Sequence, residues 1–293
     1  MTPGPDTLHD AVARARASFT EEGIASPDAD AVELAAFALG TDAADVRRRV
    51  VLRDPADAGF LDTYAALVEE RLARIPLQHL TGRAHFRRLT LAVGPGVFVP
   101  RPETEVVAGL AIEAARRVAE APLVVDLCTG SGAIALAVKD EVPGARVHAV
   151  ELSDLAHGWA VANRDRTGLE VDVRLGDATT AFVDLEGEVD VVVSNPPYIP
   201  VGAVPLDPEV RDHDPEVALY GGSADGLAVP VSVAARAAVL LRLGGVLVME
   251  HADSQGGSLP AALRATGAWV HVVDHPDLAG RPRATVAVRG PGA

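Results

Sequence analysis

Leu123-Val124-Val125-Asp126-Leu127-Cys128-Thr129-Gly130-Ser131-Gly132 is the stretch whose reading decides the fold. An apolar run bounded by Pro122 and a glycine turn has the length and composition of a buried strand. Gly130 and Gly132 allow backbone angles and a close approach that side chains block, and 131–138 then turns helical. Downstream the pattern repeats. A strand is expected over 146–152, a helix capped by Ser153 and ended near Gly168, strands over 171–175 and 189–193, a helix over 226–243 and a strand over 245–250. Such alternation predicts an α/β sheet that is largely parallel. The end differs: 269–274 and 284–288 flank a short Pro/Gly-rich loop with no room for a helix, which predicts an antiparallel terminal hairpin.

Upstream of this stretch, the first 75 residues lack strand-like alternation. Leu8, Val12, Ala15 and Phe19, then Val32, Ala35, Ala36 and Leu39, then Leu61, Tyr64, Leu67, Val68 and Leu72 recur with helical period. Ser26-Pro27-Asp28 reads as a helix start, and Gly40-Thr41-Asp42 as a stop followed by a new cap. Four or five helices are expected. Over 86–93 the residues alternate loosely and Gly94-Pro95-Gly96 reads as a turn, so a hairpin-like connector follows, leading into a helix near 104–120. The expected division is a small all-helical domain over 1–75, a connector over 76–103 and the α/β domain over 104–293.

A chain of 293 residues, 48% hydrophobic and 23% charged, has ample material for a principal core and a smaller one. Met1-Thr2-Pro3-Gly4-Pro5-Asp6 lacks the basic-then-apolar pattern of an export signal, and Pro230, Arg236 and Arg242 interrupt the apolar segment 227–249. A cytoplasmic protein without a membrane span is expected. Cys128 is the single cysteine, which excludes an intramolecular disulfide and a cysteine zinc cluster. His79 and His85 lack metal-ligand spacing and read as structural, so no metal is expected. Lys and Arg number 26 against 41 Asp and Glu, a net charge of −15 that repels phosphate backbones and argues against duplex nucleic acid as a partner. The densest basic cluster, Arg47-Arg48-Arg49 with Arg53, reads as a solvated helix face.

Ligands of open α/β sheets bind outside the carboxyl ends of the strands. Four strand ends carry suitable chemistry here. The loop 128–132 presents helix-start N–H groups and by itself suits a dinucleotide, S-adenosylmethionine or no ligand at all. Glu151 ends the second strand with a carboxylate able to accept from both hydroxyls of a ribose, and Asp177 follows the third. Asn195-Pro196-Pro197-Tyr198 ends the fourth. Two prolines stiffen that segment and supply no N–H, leaving an amide side chain, free carbonyls and an aromatic face that suit a planar, uncharged NH2 group. The plainer alternative is a Pro-rich turn after a buried strand. Asn-Pro-Pro-Tyr offers no means of hydride chemistry, which disfavours the dinucleotide.

Asp126 to Gly132, Glu151, Asp177 and Asn195 to Tyr198 resemble the class I S-adenosylmethionine-dependent methyltransferases, which implies their Rossmann-like sheet. Further matches narrow the resemblance. Pro76-Leu77-Gln78-His79-Leu80-Thr81-Gly82, Phe86, Pro100-Arg101-Pro102-Glu103-Thr104-Glu105, Asn195-Pro196-Pro197-Tyr198-Ile199, Glu216-Val217-Ala218-Leu219-Tyr220-Gly221-Gly222 with Asp225-Gly226-Leu227, and Asp277-Leu278-Ala279-Gly280-Arg281 look like the peptide-chain-release-factor glutamine N5-methyltransferases. The likeness covers the chain from about residue 76 onward. It implies methylation of the glutamine of Gly-Gly-Gln in class 1 release factors, with S-adenosyl-L-homocysteine as the second product. Carried over by position, the cofactor residues are Asp126, Cys128, Thr129, Gly130, Ser131 and Gly132, with Glu151 at the ribose, Asp177 and Ala178 at the adenine edge, and Asn195. The loop 128–132 takes the methionine part. Cys128 stands where glycine is often found, and Ala178 where a large aromatic side chain can stack on adenine.

The resemblance assigns Asn195, Pro196, Pro197 and Tyr198 to the target glutamine, with Asn195, Pro196 and Tyr198 as its catalytic residues. An amide nitrogen is a poor nucleophile, so the expected task is in-line positioning with water excluded. The Asn195 side-chain oxygen and the Pro196 carbonyl are expected to accept the two amide hydrogens while Tyr198 walls the pocket. Arg101 and Glu103 are expected either to brace the connector over the cofactor or, equally, to serve in a purely structural ion pair, and the helical domain is expected to grip the protein substrate. Rival readings are glutamine methylation of a ribosomal protein, adenine-N6 methylation of nucleic acid, and a non-catalytic cofactor-binding scaffold.

Overall fold

The computed structural model describes residues 6–118 and 120–292. Residues 1–5, most of the segment read above as lacking an export signal, lie outside the described residues. In chain order the helical part comprises α1 (Leu8–Glu21), α2 (Pro27–Leu39), α3 (Ala43–Leu52), α4 (Ala58–Leu72) and α5 (Leu77–Thr81). There follow β1 (Arg83–Phe86), β2 (Leu89–Ala92), α6 (Thr104–Arg116), β3 (Leu123–Leu127), α7 (Ala133–Glu141), β4 (Arg146–Glu151), α8 (Asp154–Thr167), β5 (Val171–Leu175) and β6 (Val189–Ser194). The last elements are α9 (Pro208–His213), α10 (Ala228–Leu240), β7 (Leu241–Glu250), α11 (Ser258–Ala265), β8 (Trp269–Pro276) and β9 (Pro282–Arg289). The chain divides into two compact units: Met1–Gly82 with Leu206–His213, and Arg83–Pro205 with Asp214–Ala293.

In the first unit the ends of the helices are written in the sequence. Thr7 Oγ1 accepts from the Asp10 N–H at 3.2 Å and the Asp10 carboxylate accepts back from the Thr7 N–H, a capping box that starts α1. Pro27 opens α2, Gly40 closes it in the left-handed conformation, and the Asp42 side chain caps α3. Leu8, Phe19, Leu34, Val46, Phe60 and Tyr64 form the core, with the Tyr64 hydroxyl donating to the Ala31 carbonyl at 2.9 Å. Arg71 is buried. Its Nε donates to Asp30 at 2.8 Å and its Nη2 to Glu209 at 2.7 Å, so α9 enters this unit through an ion pair with a residue 138 positions earlier. On α3 Arg48 pairs with Asp45 and Arg49 with Asp54, and Arg48 and Arg53 remain exposed, which is the solvated face expected.

The second unit is built on a seven-stranded sheet of order β5-β4-β3-β6-β7-β9-β8. The strands from β5 to β7 run parallel, while β9 pairs antiparallel with both β7 and β8, giving the largely parallel sheet and terminal hairpin that the pattern predicted and the Rossmann-like arrangement that the resemblance implied. Alternate residues of the central strands face opposite layers. Val124, Val191 and Val193 pack with Val107 and Ile112 of α6 and Ile134 and Leu136 of α7. Val125, Leu127 and Val192 pack with Val233, Ala237 and Leu240 of α10 and Leu259 of α11. Burial on both faces explains why β3 reads as a continuous apolar run interrupted only by Asp126.

Three expectations need correction. The connector hairpin turns at Arg87-Arg88, because Phe86 pairs with Leu89. Arg87 holds a φ of 52° there; its N–H donates to Glu105 at 3.0 Å and its guanidinium pairs with Glu141. Gly94-Pro95-Gly96 is a separate turn after β2, and its glycines also admit close approach to α8: a Cβ at Gly94 would lie 2.7 Å from the Trp159 ring, and one at Gly96 2.8 Å from Leu155. Helix α6 ends at Arg116 rather than near 120. Helix α10 ends at Leu240, since Leu241 is already extended and pairs with Val189.

Candidate functional site

Register brings the expected site residues to one edge of the sheet. Leu127 pairs with Val150 and with Ser194, Ser194 with Met249, and Glu151 with Leu175. The next row is therefore Leu175, Glu151 and Glu250 at the ends of their strands, with Cys128 and Asn195 as the first residues past β3 and β6, the strands lying about 4.8 Å apart. Asn195 stands between Cys128 and Glu250, with Glu151 one strand beyond Cys128.

The loop after β3 is held from several sides. Asp126 is fully buried; its Oδ2 accepts from Thr129 Oγ1 at 2.6 Å and from the Ala135 N–H at 3.1 Å. Its Oδ1 has no hydrogen-bond partner among the described residues. Burial without a countercharge raises this carboxyl to about 7. Cys128 has a φ of 70°, and Gly130 and Gly132 follow at 58° and 84°, so every second residue of the loop is left-handed before α7. Burial pushes the Cys128 thiol up, and the Glu151 carboxylate adds to the effect. The Thr129 N–H donates to the Val150 carbonyl, and buried Asn163 donates to the Ser131 carbonyl at 3.0 Å, tying the loop to α8.

Glu151 accepts from the Gly130 N–H at 2.8 Å through Oε2 and from the Ser153 N–H at 2.9 Å through Oε1. It therefore shapes the glycine turn while leaving lone pairs for further donors. The Asp177 carboxylate accepts from the N–H and hydroxyl of Thr179, and Ala178 is buried with Leu127, Val150 and Phe182. Leu152, Leu155 and Leu175 leave apolar side chains exposed along this stretch of the sheet edge.

At the end of β6 the buried Ser194 hydroxyl donates to the Leu127 carbonyl, which locks the two central strands together just before the site. Asn195 Nδ2 donates to Thr104 Oγ1 at 3.4 Å. That bond turns the amide oxygen away from Thr104. Pro196 is buried, while Pro197 and Tyr198 are partly open. The Tyr198 carbonyl accepts from Gln255 Nε2 at 3.0 Å, which also donates to the Asp225 carbonyl at 2.8 Å. The Tyr198 hydroxyl donates to Glu250 Oε1 at 3.4 Å, and burial pushes that phenol up.

Sequence reasoning missed Glu250 and Thr104. Glu250 is 2% exposed, its Oε2 has no close partner among the described residues, and burial raises it to about 7. The available signal was its place at the carboxyl end of a strand beside the one that ends in Asn195. For Arg101 the observed contacts are those of the structural ion-pair alternative. It pairs with Asp214 at 2.7 Å and lies over the Phe98 ring, 5.2 Å from its centroid. Among the described residues, no helix is long and apolar enough to cross a membrane, and no group of three or more His, Cys, Asp and Glu is placed to hold a metal ion.

Comparison with known proteins places this geometry in a family. Residues 10–82 match the PrmC N-terminal domain, and residues 90–205 the methyltransferase small domain. The chain is 52% identical over 278 residues to the release factor glutamine methyltransferase of Streptomyces coelicolor, covering 94% of this chain and 96% of that one. It is 46% identical over 282 residues to the enzyme of the same name from Mycolicibacterium smegmatis, covering 96% and 98%. It is also 41% identical to a 4-amino-L-phenylalanine/4-methylamino-L-phenylalanine methyltransferase of Streptomyces pristinaespiralis, covering 94% of each chain. Among solved structures, a 16S rRNA N2 methyltransferase of Thermus thermophilus in complex with AdoMet and guanosine shares the fold, with a TM-score of 0.50 and 22% identity, over 71% of this chain and 49% of that one. Identity of this level over nearly the whole length leaves one conclusion: the chain belongs to the release factor glutamine methyltransferase family.

Proposed function

We propose that this protein transfers a methyl group from S-adenosylmethionine to the N5 side-chain nitrogen of the glutamine in the Gly-Gly-Gln motif of class 1 peptide chain release factors, with S-adenosylhomocysteine as the second product. The observation that carries the reading is the orientation of Asn195. With Nδ2 engaged by Thr104, its oxygen is left as an acceptor beside two prolines that offer no N–H. An amide NH2 is the group such a corner takes. Asn195 Oδ1 and the Pro196 carbonyl accept its two hydrogens, Tyr198 walls the pocket, and Pro197 stiffens the turn. The nitrogen is thereby held with its lone pair facing outward and water excluded.

The residues on the neighbouring strands fit S-adenosylmethionine. Asp126 has a buried carboxylate oxygen without a partner, as a nearby ammonium requires, and the loop 128–132 runs through backbone angles that admit close approach. Glu151 keeps lone pairs for ribose hydroxyls. Asp177 and Ala178 mark the adenine edge, where exposed Leu152 and Leu175 offer apolar surface for a flat ring. The cofactor supplies a methyl group on a sulfonium, an activated donor. The proton released from the methylated amide passes to solvent or to a neighbouring acceptor.

The helical domain, 1–75, serves to grip the protein substrate, since one glutamine in a loop offers too little surface for selection. The connector, 76–103, leads into the catalytic domain, 104–293. The place of action is the cytoplasm, where release factors work, and no duplex nucleic acid is needed. Mass spectrometry of an unmethylated release factor incubated with the protein and S-adenosylmethionine tests the reading. One methyl on the Gly-Gly-Gln glutamine, absent with Asn195→Ala, is expected. Transfer instead to a ribosomal protein, to adenine or to 4-amino-L-phenylalanine, with none to any release factor, would overturn it.

A further inference from the structure

We propose that Glu250 is a positioning residue whose ionised carboxylate, acting through the Thr104 hydroxyl, decides which end of the Asn195 amide faces the site. The inference rests on the role given to Asn195 above. Asn195 Nδ2 is a donor and nothing else, so Thr104 Oγ1 accepts in their contact. The single hydroxyl hydrogen of Thr104 is then free for another acceptor. Glu250 provides one: its carboxylate is buried beside Thr104 with Oε2 open to a donor, and a hydrogen bond from the Thr104 hydroxyl favours the ionised form. On the other side, Tyr198 donates its O–H to Oε1. Both polar ends of the Asn195–Tyr198 corner therefore answer to one carboxylate.

Direction follows from donor counting. Ionised Glu250 only accepts, so hydrogens run from Asn195 to Thr104 to Glu250, and Asn195 Oδ1 is presented as an acceptor. Protonated Glu250 carries a hydrogen of its own and can donate it to Thr104 Oγ1. Thr104 then donates to Asn195 Oδ1, the amide turns over, and Nδ2 faces the site. Two donors then meet the NH2 of the incoming glutamine, and the contact is lost.

The groups facing Glu250 are Tyr198 after β6, Thr104 and Glu103 at the start of α6, and Arg283 on β9. Arg283 favours the ionised form and Glu103 opposes it. Arg283 is divided between this carboxylate and Asp277, to which its Nη2 donates at 3.3 Å. Burial outweighs both, so the carboxyl changes charge near neutral pH.

The test measures methyl transfer to the release factor from pH 5.5 to 8.5 for the wild type, Glu250→Gln, Thr104→Val and Thr104→Ser. The wild-type kcat is expected to rise about tenfold across the two pH units centred on the Glu250 midpoint. Thr104→Val lowers kcat more than tenfold and removes this rise, with KM for S-adenosylmethionine within threefold; Thr104→Ser restores both rate and rise. Glu250→Gln flattens the profile. A purely structural role would lower the melting temperature of the variants and leave the shape of the profile unchanged, which would overturn the inference. Substrate-free NMR of the wild type supplies a second reading. The Asn195 side-chain amide resonances are expected to move with the same midpoint as the Glu250 carboxyl carbon, and static resonances through that titration would also overturn it. A wild type that shows this coupled shift but never methylates a release factor would remove the substrate reading and leave the relay standing.

Discussion

Asp126→Asn separates what this site costs the fold from what it does. Asparagine keeps the volume of aspartate, and its amide oxygen can still accept from Thr129 Oγ1 and the Ala135 N–H, now at 2.6 and 3.1 Å. What it removes is a titration. Burial moves this carboxyl from 3.8 to about 7, so the folded protein prefers the protonated form. Such a group supports folding fully only below about pH 4, and its contribution is lost as pH climbs from there through 7. Above pH 7 the fold carries an ionised, buried carboxylate with an unpartnered oxygen. A shift of roughly three units at about 1.4 kcal/mol each sets an upper limit of about 4 kcal/mol. Asp126→Asn is therefore expected to raise the unfolding free energy of the cofactor-free protein by up to about 4 kcal/mol at pH 8, and by about 1–2 kcal/mol at pH 5. Urea denaturation followed by Trp159 and Trp269 fluorescence reads both values. Over the same comparison the affinity for S-adenosylmethionine is expected to fall at least about tenfold, because an amide N–H replaces the acceptor assigned above to the cofactor's ammonium. An equal gain at pH 5 and pH 8, or a variant less stable than wild type at pH 8, would refute the reasoning.

Other substitutions probe other parts of the argument. Asn195→Ala is expected to lower kcat about 10²–10³-fold, as loss of one preorganised contact does, with the dissociation constant of S-adenosylmethionine within about threefold by calorimetry; equal losses in both would remove its assignment to the substrate. Arg71→Met strands the buried Asp30 carboxylate, while Glu209 keeps Arg74 at 3.3 Å, and should cost about 3–5 kcal/mol in denaturant unfolding, partly recovered by adding Asp30→Asn. A Cβ at Gly226 would lie 2.0 Å from the Tyr198 carbonyl oxygen, on a backbone with φ of 73°. Gly226→Ala should therefore cost about 2–4 kcal/mol and lower kcat by more than about tenfold; wild-type kinetics would show that the Tyr198 turn tolerates displacement.

Local chemistry and long-range chemistry were unequally legible in the sequence. Strand β3 ends where its apolar run ends, α2 stops at the glycine expected to stop it, and Ser153 caps α8, because each of these is decided by neighbours in the chain. The connector turn was misplaced because Arg87 is held left-handed by Glu105 and Glu141, respectively 18 and 54 residues away. Gly94-Pro95-Gly96 does form a turn, but it is one that follows the hairpin and carries contact with α8. The excursion of Leu206–His213 into the helical unit had no sequence signal, since its anchor, Glu209, matters only once Arg71 is buried. At the site, the strand-end carboxylates Glu151 and Asp177 were visible from the rule for parallel sheets. Thr104 and Glu250 were not, because what matters in them is a donor count around Asn195, and that count exists only after strand register has put β7 beside β6.

The carboxylates of this sheet divide by how well they are satisfied. Glu151 receives N–H donors on both oxygens and works as a brace for the glycine turn. Asp126 and Glu250, one on the strand before Asn195 in the sheet and one on the strand after it, are each buried with an oxygen lacking a close partner, and each is raised to about 7. Near neutral pH both weaken the fold, and neither sits where packing alone asks for a carboxylate: uncharged residues of similar volume would fill the same space. Stability is thus given up on both sides of the asparagine and not beneath the brace. In the function and relay proposed above, the compensating gain for Asp126 is a positive charge on the cofactor, and for Glu250 the direction of the hydrogens that reach Asn195. On that reading the two raised carboxylates flank the substrate corner, one held for a donor on the cofactor and the other spent on orienting Asn195.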